Sequence, residues 1–302
     1  MREIIFFFGG RNMLLEALKR RILVLDGAMG TILASYGEKP CYEVLNKTKE
    51  NLIQKIHEKY IEAGADIITT NSFNCNQMAL QKYHLKESVY DLTKKSVEIA
   101  KKATKNSKKA VYILGSIGPS IANLPEDMKS WKQSYFQQIL GLLDGGVDAL
   151  LLETIYDENK ANCILGNIEE IFQEKKVEVP VFCSMTINQN GKLLTGTSIT
   201  RAVEKMDRPW IVGFGLNCSY GMENIVSFLP ELIRATDKYC MVYANAGFPN
   251  EKGEYTENIE EMLELLQPFL EKHWIHIVGG CCGTNEKYTY AFAKKIALLA
   301  ER

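Results

Sequence analysis

Eight short apolar runs, each followed by a longer amphipathic stretch, leave this chain few folds to choose from. The runs are Ile22–Leu25, Asp66–Thr70, Val111–Gly115, Ala149–Glu153, Val181–Thr186, Ile211–Leu216, Met241–Asn245 and Ile275–Val278. Nearly continuous apolar runs without alternation fit parallel strands covered on both faces. Between them, helical spacing is evident in Lys49–Ala63, Ser88–Thr104, Trp131–Gly141, Asn159–Glu174, Asn224–Arg234, Ile259–Leu270 and Glu286–Leu299. The fifth connection offers only a short helix, Ile199–Met206. Repeated strand–helix units without a long linker predict an α/β protein, a single (β/α)8 TIM barrel with its active site at the C-terminal ends of the strands. A doubly wound sheet is the alternative, but it carries a phosphate fingerprint after its first strand. Asp26-Gly27-Ala28-Met29-Gly30 lacks the G-x-G-x-x-G spacing, and no Walker A sequence occurs.

A length of 302 residues suits one barrel, and a hydrophobic fraction of 46% supplies its core. Residues 21–302 read as that barrel, and residues 1–20 as an N-terminal extension or leading helix. Residues 1–12 fit no part of the pattern, so Met13 is expected to be the natural start. A net charge of −1 gives no basic footprint for nucleic acid or for an anionic membrane. No run approaches the ~20 apolar residues that span a bilayer, and Ile4–Phe8 is too short for a signal segment. Eight cysteines without a secretion signal read as reduced thiols or metal ligands of a cytoplasmic protein.

Barrel chemistry sits where strands end, so the residues at those ends form a site inventory. In order they are Asp26, Asn71, Ser116, Glu153, the region of Thr186, Asn217 with Cys218, Asn245, and Cys281 with Cys282. Adjacent cysteines pair poorly with each other, because a disulfide needs converging Cβ vectors. Cys281 and Cys282 on a glycine-rich turn are instead placed to hold one soft metal ion. Cys218 ends strand six, and only strand seven separates it from strand eight. None of His57, His84, His273 or His276 is placed as a fourth ligand, which leaves an open metal position of the kind catalytic sites keep. His276 reads as a packed core histidine within strand eight. Cys41, Cys75, Cys163, Cys183 and Cys240 read as buried structural thiols. Gly279, Gly280 and Gly283 would allow close backbone approach to the metal.

The inventory contains two carboxylates and no lysine, which argues against a Schiff-base aldolase. Asp26 and Glu153 suit a substrate ammonium group, and the Gly27 and Ala28 N–H groups suit its carboxylate. Each carboxylate alone could simply cap a loop. Asn71, Asn217 and Asn245 are neutral groups able to orient a ligand or order the loops. Taken with the thiolates, these residues describe a site for an amino acid bearing a thiol. A phosphate-binding barrel isomerase with incidental cysteines is a competing reading, weakened because thiolates repel an anion.

Six blocks resemble the homocysteine S-methyltransferase family, and within it the homocysteine-binding barrel of cobalamin-dependent methionine synthase. They are Leu25-Asp26-Gly27-Ala28-Met29-Gly30-Thr31, Gly64 through Phe73, Leu152-Glu153-Thr154, Gly215-Leu216-Asn217-Cys218-Ser219, Asn245 through Asn250, and Gly279 through Thr284. The resemblance implies that Cys218, Cys281 and Cys282 bind Zn2+ and act catalytically through it. It also implies that Asp26 and Glu153 hold the homocysteine amino group and that Gly27 with Ala28 forms the carboxylate-binding turn. The implied reaction is methionine biosynthesis by attack of a zinc-held homocysteine thiolate on an activated methyl group. The block around Asn245 points to a methylcorrinoid such as methylcobalamin, carried by a partner protein or domain. S-methylmethionine or S-adenosylmethionine is the alternative donor, and no aromatic cage for betaine is found. A zinc-holding or corrinoid-protein-docking module without turnover is the non-enzymatic alternative.

Overall fold

A computed structural model describes residues 10–119, 128–251, 253 and 255–300. Eight parallel strands form one sheet: β1 (Leu23–Val24), β2 (Ile67–Thr69), β3 (Tyr112–Ile117), β4 (Ala149–Ile155), β5 (Val181–Met185), β6 (Ile211–Cys218), β7 (Tyr239–Ala244) and β8 (Ile277–Gly280). Their order, β1-β8-β7-β6-β5-β4-β3-β2, is that of a barrel. The first and last strands meet through a Leu25–Ile67 bridge, with Asp26 N donating to Ile67 O at 2.9 Å. The expected (β/α)8 barrel is the fold observed.

The helices, in chain order, are α1 (Gly10–Arg20), α2 (Met29–Ser35), α3 (Leu45–Thr48), α4 (Glu50–Glu62), α5 (Gln77–Lys82), α6 (Val89–Thr104), α7 (Met128–Gly145), α8 (Glu158–Lys175), α9 (Ile199–Met206), α10 (Met222–Ala235), α11 (Ile259–Glu271) and α12 (Glu286–Ala300). Polar caps start several of them: Ser88, Asp157, Ser198 and Asn258 each accept a first-turn amide. Their apolar faces and the outward side chains of the strands form the larger core, which includes Ile53, Ile56, Val97, Ile139, Leu165, Leu229 and Leu266.

The barrel interior is a separate core with period-two logic. Leu23 and Leu25, Tyr112 and Leu114, Ala149 and Leu151, and Phe182, Met241, Tyr243 and Ile277 all point inward. One step further toward the C-terminal end, the same alternation turns polar, with Thr69, Ser116, Glu153, Ser184 and Asn217. Inside β6, a Cβ on Gly215 would come within 2.2 Å of the Met241 side chain, so the missing side chain makes room for a neighbour. Helix α1 closes the opposite end: Leu14 and Leu18 are buried among Leu23, Leu25, Ile67 and Tyr112, and Tyr112 Oη donates to Met13 O at 3.1 Å. The segment Ile4–Phe8, whose absence from the native protein the Met13 expectation requires, lies outside the described residues.

Several boundaries differ from the sequence expectation. Strand β8 begins two residues later than expected, so His276 precedes it and is only half-buried, its Nδ1 accepting from Cys240 N at 3.1 Å. It packs edge-on to Tyr239 at the barrel floor instead of within the core. Strands β3, β4 and β6 run further than expected, so Ser116, Asn217 and Cys218 join Glu153 within strands and do not lie past them. Helices α2 and α5 were not anticipated, being seven and six residues long and too short to show a periodic face. Cys163 is half-buried on α8, while the other four non-cluster cysteines are buried.

Candidate active site

The three cysteines converge at the C-terminal mouth. Cys218 is the last residue of β6, and Cys281 and Cys282 directly follow β8. Their sulfurs all lie within 4.8 Å of one another, with Cys218 Sγ and Cys281 Sγ 2.9 Å apart. Three thiolates on one tetrahedral zinc, with bonds of about 2.3 Å, stand roughly 3.8 Å apart, so this set fits such an ion with small adjustment. The hydrogen bonds that Cys218, Cys281 and the Tyr255 hydroxyl make to Cys282 hold its thiol well below the usual range, despite burial. Hydrogen bonding within the cluster and burial push Cys281 up. One thiolate is thus already favoured, with neighbouring thiols ready to lose protons to a metal.

Backbone strain fixes this geometry. Cys218 and Ser219 at the end of β6 and Thr154 on β4 are non-glycine residues with φ of 54°, 60° and 57°. Left-handed backbone at such residues costs about 1–2 kcal/mol each, so the surroundings must enforce it. Asn217 does much of that. Its Oδ1 accepts from Thr154 N at 3.0 Å and Ser184 Oγ at 2.8 Å, and its Nδ2 donates to Thr154 Oγ1 at 2.9 Å. Fully buried, Asn217 ties β4, β5 and β6 together behind the cysteines. Asn245 plays a similar part in the next loop, its Nδ2 donating to Ser219 O at 3.0 Å, and its Oδ1 is buried without a partner among the described residues.

In front of the cysteines lies a cavity of about 400 Å3. Asp26, Gly27, Ala28, Asn71, Ser116, Glu153 and all three cysteines line it, with Tyr42, Glu43, Phe73 and Tyr243 closing the sides. Asp26 accepts from Thr69 N at 2.8 Å, and burial pushes its carboxyl well up. Glu153 accepts from Ser116 Oγ at 2.5 Å and Tyr243 Oη at 3.1 Å, and burial pushes it up to about 7. Two buried carboxylates facing a cavity, with no basic partner among the described residues, suit a cation arriving from solvent. Glu43 is buried too, but its oxygens are engaged by Cys41 Sγ and by Asn74 N, so it orders the wall.

Other groups are already engaged within the protein. Ala28 N donates to Thr284 Oγ1 at 3.2 Å, and Ala28 O accepts from Tyr60 Oη at 2.9 Å. Asn71 lines the cavity while its Nδ2 donates to Tyr42 O and to Asn46 Oδ1. The space left by Gly280 and Gly283 is filled by Thr284 and by the Tyr255 ring, so these glycines serve packing against the cluster. Sequence reasoning noted Ser116 without a role and missed Thr69, Thr154, Ser184, Tyr243 and Tyr255. For Tyr243 a signal existed, since it stands two residues before Asn245 and so shares its face of β7.

The pattern that defines the homocysteine S-methyltransferase family matches residues 23–296. Methionine synthase of Mycobacterium leprae is 34% identical over 306 aligned residues, covering 94% of this chain and 25% of that protein. Methionine synthase of Mycobacterium tuberculosis is also 34% identical, with the same coverage. The chain therefore spans about a quarter of the length of these curated relatives. Among solved structures, the metallated form of the homocysteine methyltransferase MmuM from Escherichia coli shares the fold, with a TM-score of 0.77 at 23% identity, over 95% of this chain and all of that one.

Proposed function

The chain belongs to the homocysteine S-methyltransferase family, and from that premise we propose that it is a zinc-dependent enzyme that methylates homocysteine to methionine. The observation that carries this reading is the convergence of three cysteine sulfurs on a cavity holding two buried carboxylates that no basic group among the described residues neutralises. Residues 21–302 act as the homocysteine-binding barrel, with the leading helix closing its floor. Cys218, Cys281 and Cys282 would hold Zn2+. When bound, the metal supplies a Lewis acid that keeps the substrate sulfur as a thiolate at neutral pH.

The chain's own groups do the rest. Asp26 and Glu153 grip the substrate ammonium from two sides of the cavity, and the turn at Gly27 and Ala28 receives its carboxylate. For Ala28 this means exchanging the long bond to Thr284 Oγ1 for one to the substrate. Ser116 and Tyr243 orient Glu153. Asn71 orders the wall the substrate meets, and Asn217 and Asn245 act by fixing the strained backbone that aims the sulfurs. Protein dipoles replace solvent around the grip, so the amino-acid end is anchored while the sulfur stays exposed for attack.

The methyl donor in this reading is a methylcorrinoid on a partner protein or domain, as the resemblance to the methionine synthase barrel implies. The test is methionine formation from homocysteine with methylcobalamin, S-methylmethionine and S-adenosylmethionine supplied in parallel, alongside metal analysis. About one zinc per chain is expected, lost in Cys282→Ala together with turnover. A metal-free protein that turns over none of these donors rejects the reading.

A further inference from the structure

The cavity occupies the side of the mouth formed by β1 to β4, and the cysteines form its far wall. Beyond them, on the β6 and β7 side, the rim carries two aromatic rings that the reading above leaves without a role. Tyr220 and Phe248 stack with centroids 5.3 Å apart and planes 15° from parallel. They remain 41% and 64% exposed. Leu194, on the loop after β5, is 79% exposed at the same end of the barrel. A stacked and exposed aromatic pair offers the large, rigid apolar area that protein contacts use.

The pair is rigidly joined to the metal-ligating strand ends. Tyr220 follows Cys218 by two residues, and Ala246, two residues before Phe248, donates its N–H to Cys282 O at 2.9 Å. Gly221 (φ 110°) and Gly247 (φ 85°) let the two loops touch: a Cβ on Gly221 would lie 3.0 Å from Gly247 Cα. The Glu257 carboxylate accepts the amides of Met222, Glu223 and Gly247, pinning both loops at once. The neighbouring loop is pinned as well, with Ile187 N donating to Ser219 Oγ at 3.1 Å. Whatever rests on the rings is therefore held in register with the sulfurs.

We propose that the Tyr220–Phe248 pair is the docking platform for the protein that delivers the methyl group, an inference that rests on the methyl-transfer reading above. Small donors are enclosed in concave sites, whereas these rings stand proud of the mouth and offer an open ring face to a broad surface. Tyrosine and phenylalanine are also the types enriched where protein interfaces concentrate affinity. The relatives hold this region within a chain of which it makes up 25%, so such a barrel works beside further polypeptide. The rings stand on the loops after β6 and β7, at the same barrel end onto which the cavity and the cysteines open, so a protein resting on them reaches over the site of the substrate sulfur.

The experiment compares the unaltered chain with Tyr220→Ser/Phe248→Ser and with Tyr220→Phe. The probes are free methylcobalamin and methylcobalamin loaded on the corrinoid-carrying part of a methionine synthase. The double variant is expected to keep its zinc content, its Tm and its rate with free methylcobalamin. Its kcat/KM with the protein-borne donor should fall at least tenfold, and its affinity for that carrier in calorimetry should fall equally. Tyr220→Phe should retain both. Unchanged carrier affinity overturns the platform, as does an equal loss with both donors. So does a dimer of the unaltered chain that the double variant dissolves, since the rings then serve a second copy. Carrier affinity decides the platform even where turnover fails, and turnover by the unaltered chain decides the functional reading.

Discussion

Glu153 shows how one residue can be both a structural liability and a functional grip. Its carboxyl is buried, held by two neutral hydroxyls and pushed up to about 7, so near neutral pH it ionises at a cost that an incoming ammonium removes. The part of the homocysteine affinity that Glu153 supplies should therefore rise as pH climbs toward about 7 and level off above it, because only the ionised carboxylate pairs with the ammonium, while loss of the substrate thiol proton to zinc adds a separate rise with pH. Glu153→Gln keeps the shape but removes the charge. Affinity should drop roughly 10- to 100-fold at pH 7 and above, the range of a charged hydrogen bond, with a smaller loss at pH 5.5 and the zinc content intact. Calorimetric titration of both proteins between pH 5.5 and 8 checks this, since thiol ionisation on zinc cancels in the ratio of their affinities, and a ratio that stays constant with pH would place the grip elsewhere. The position of Glu153 at the mouth follows from alternation along Ala149, Leu151 and Glu153, which any reader of the sequence can count. Its partners do not. Ser116 and Tyr243 come from strands 37 and 90 residues away, and only closure of the barrel brings them to it.

At the scale of elements, the junction of β6 with α10 is the most instructive. Helix α10 starts at Met222, and Gly221 before it offers no side chain to its free amides. Glu257, 35 residues on in sequence, supplies the cap from the neighbouring loop. Glu257→Ala should lower stability by about 1–2 kcal/mol, measured by urea unfolding, while Glu257→Gln retains part of it. The same change frees the loop after Cys218, so zinc should be released faster to a chelator, with Cys281 and Cys282 untouched. Long periodic helices such as α6 and α8 are plain in the sequence because many turns repeat one apolar face. Elements held by tertiary caps, and short ones such as α2 and α5, carry too few periods to show. Strand β8 was placed two residues early for a related reason. Ile275 extends the apolar run, whereas the pairing with β7 starts at Ile277 opposite Met241.

Across the whole molecule, the barrel buries titratable groups whose effects on stability run in opposite directions. Glu153, raised to about 7, is easier to bury once protonated, so it favours folding increasingly as pH falls from about 7 to 4.5. His57 on α4 works the other way. It is fully buried, neither ring nitrogen has a hydrogen-bond partner among the described residues, and burial lowers it to about 4 from an ordinary 6.5. The unfolded chain therefore binds the proton first. The stability that a neutral His57 allows is complete above about 6.5 and is lost as pH falls toward 4. Glu158 adds a later loss: buried, it accepts from Lys205, Thr195 and Thr197 and is held at about 2, so its contribution fades below about 4.5. Replacing His57 with leucine removes one of these opposing contributions and leaves the others. Measured by urea unfolding at pH 7, 5.5 and 4, the stability of His57→Leu relative to the unaltered chain should improve by on the order of 3 kcal/mol across that range. Zinc loss in acid affects both proteins alike and cancels in the difference. A difference that stays constant with pH would show that His57 gains a proton in the folded barrel as readily as in the unfolded chain, and would move the acid sensitivity of this fold to Glu158 and its three partners.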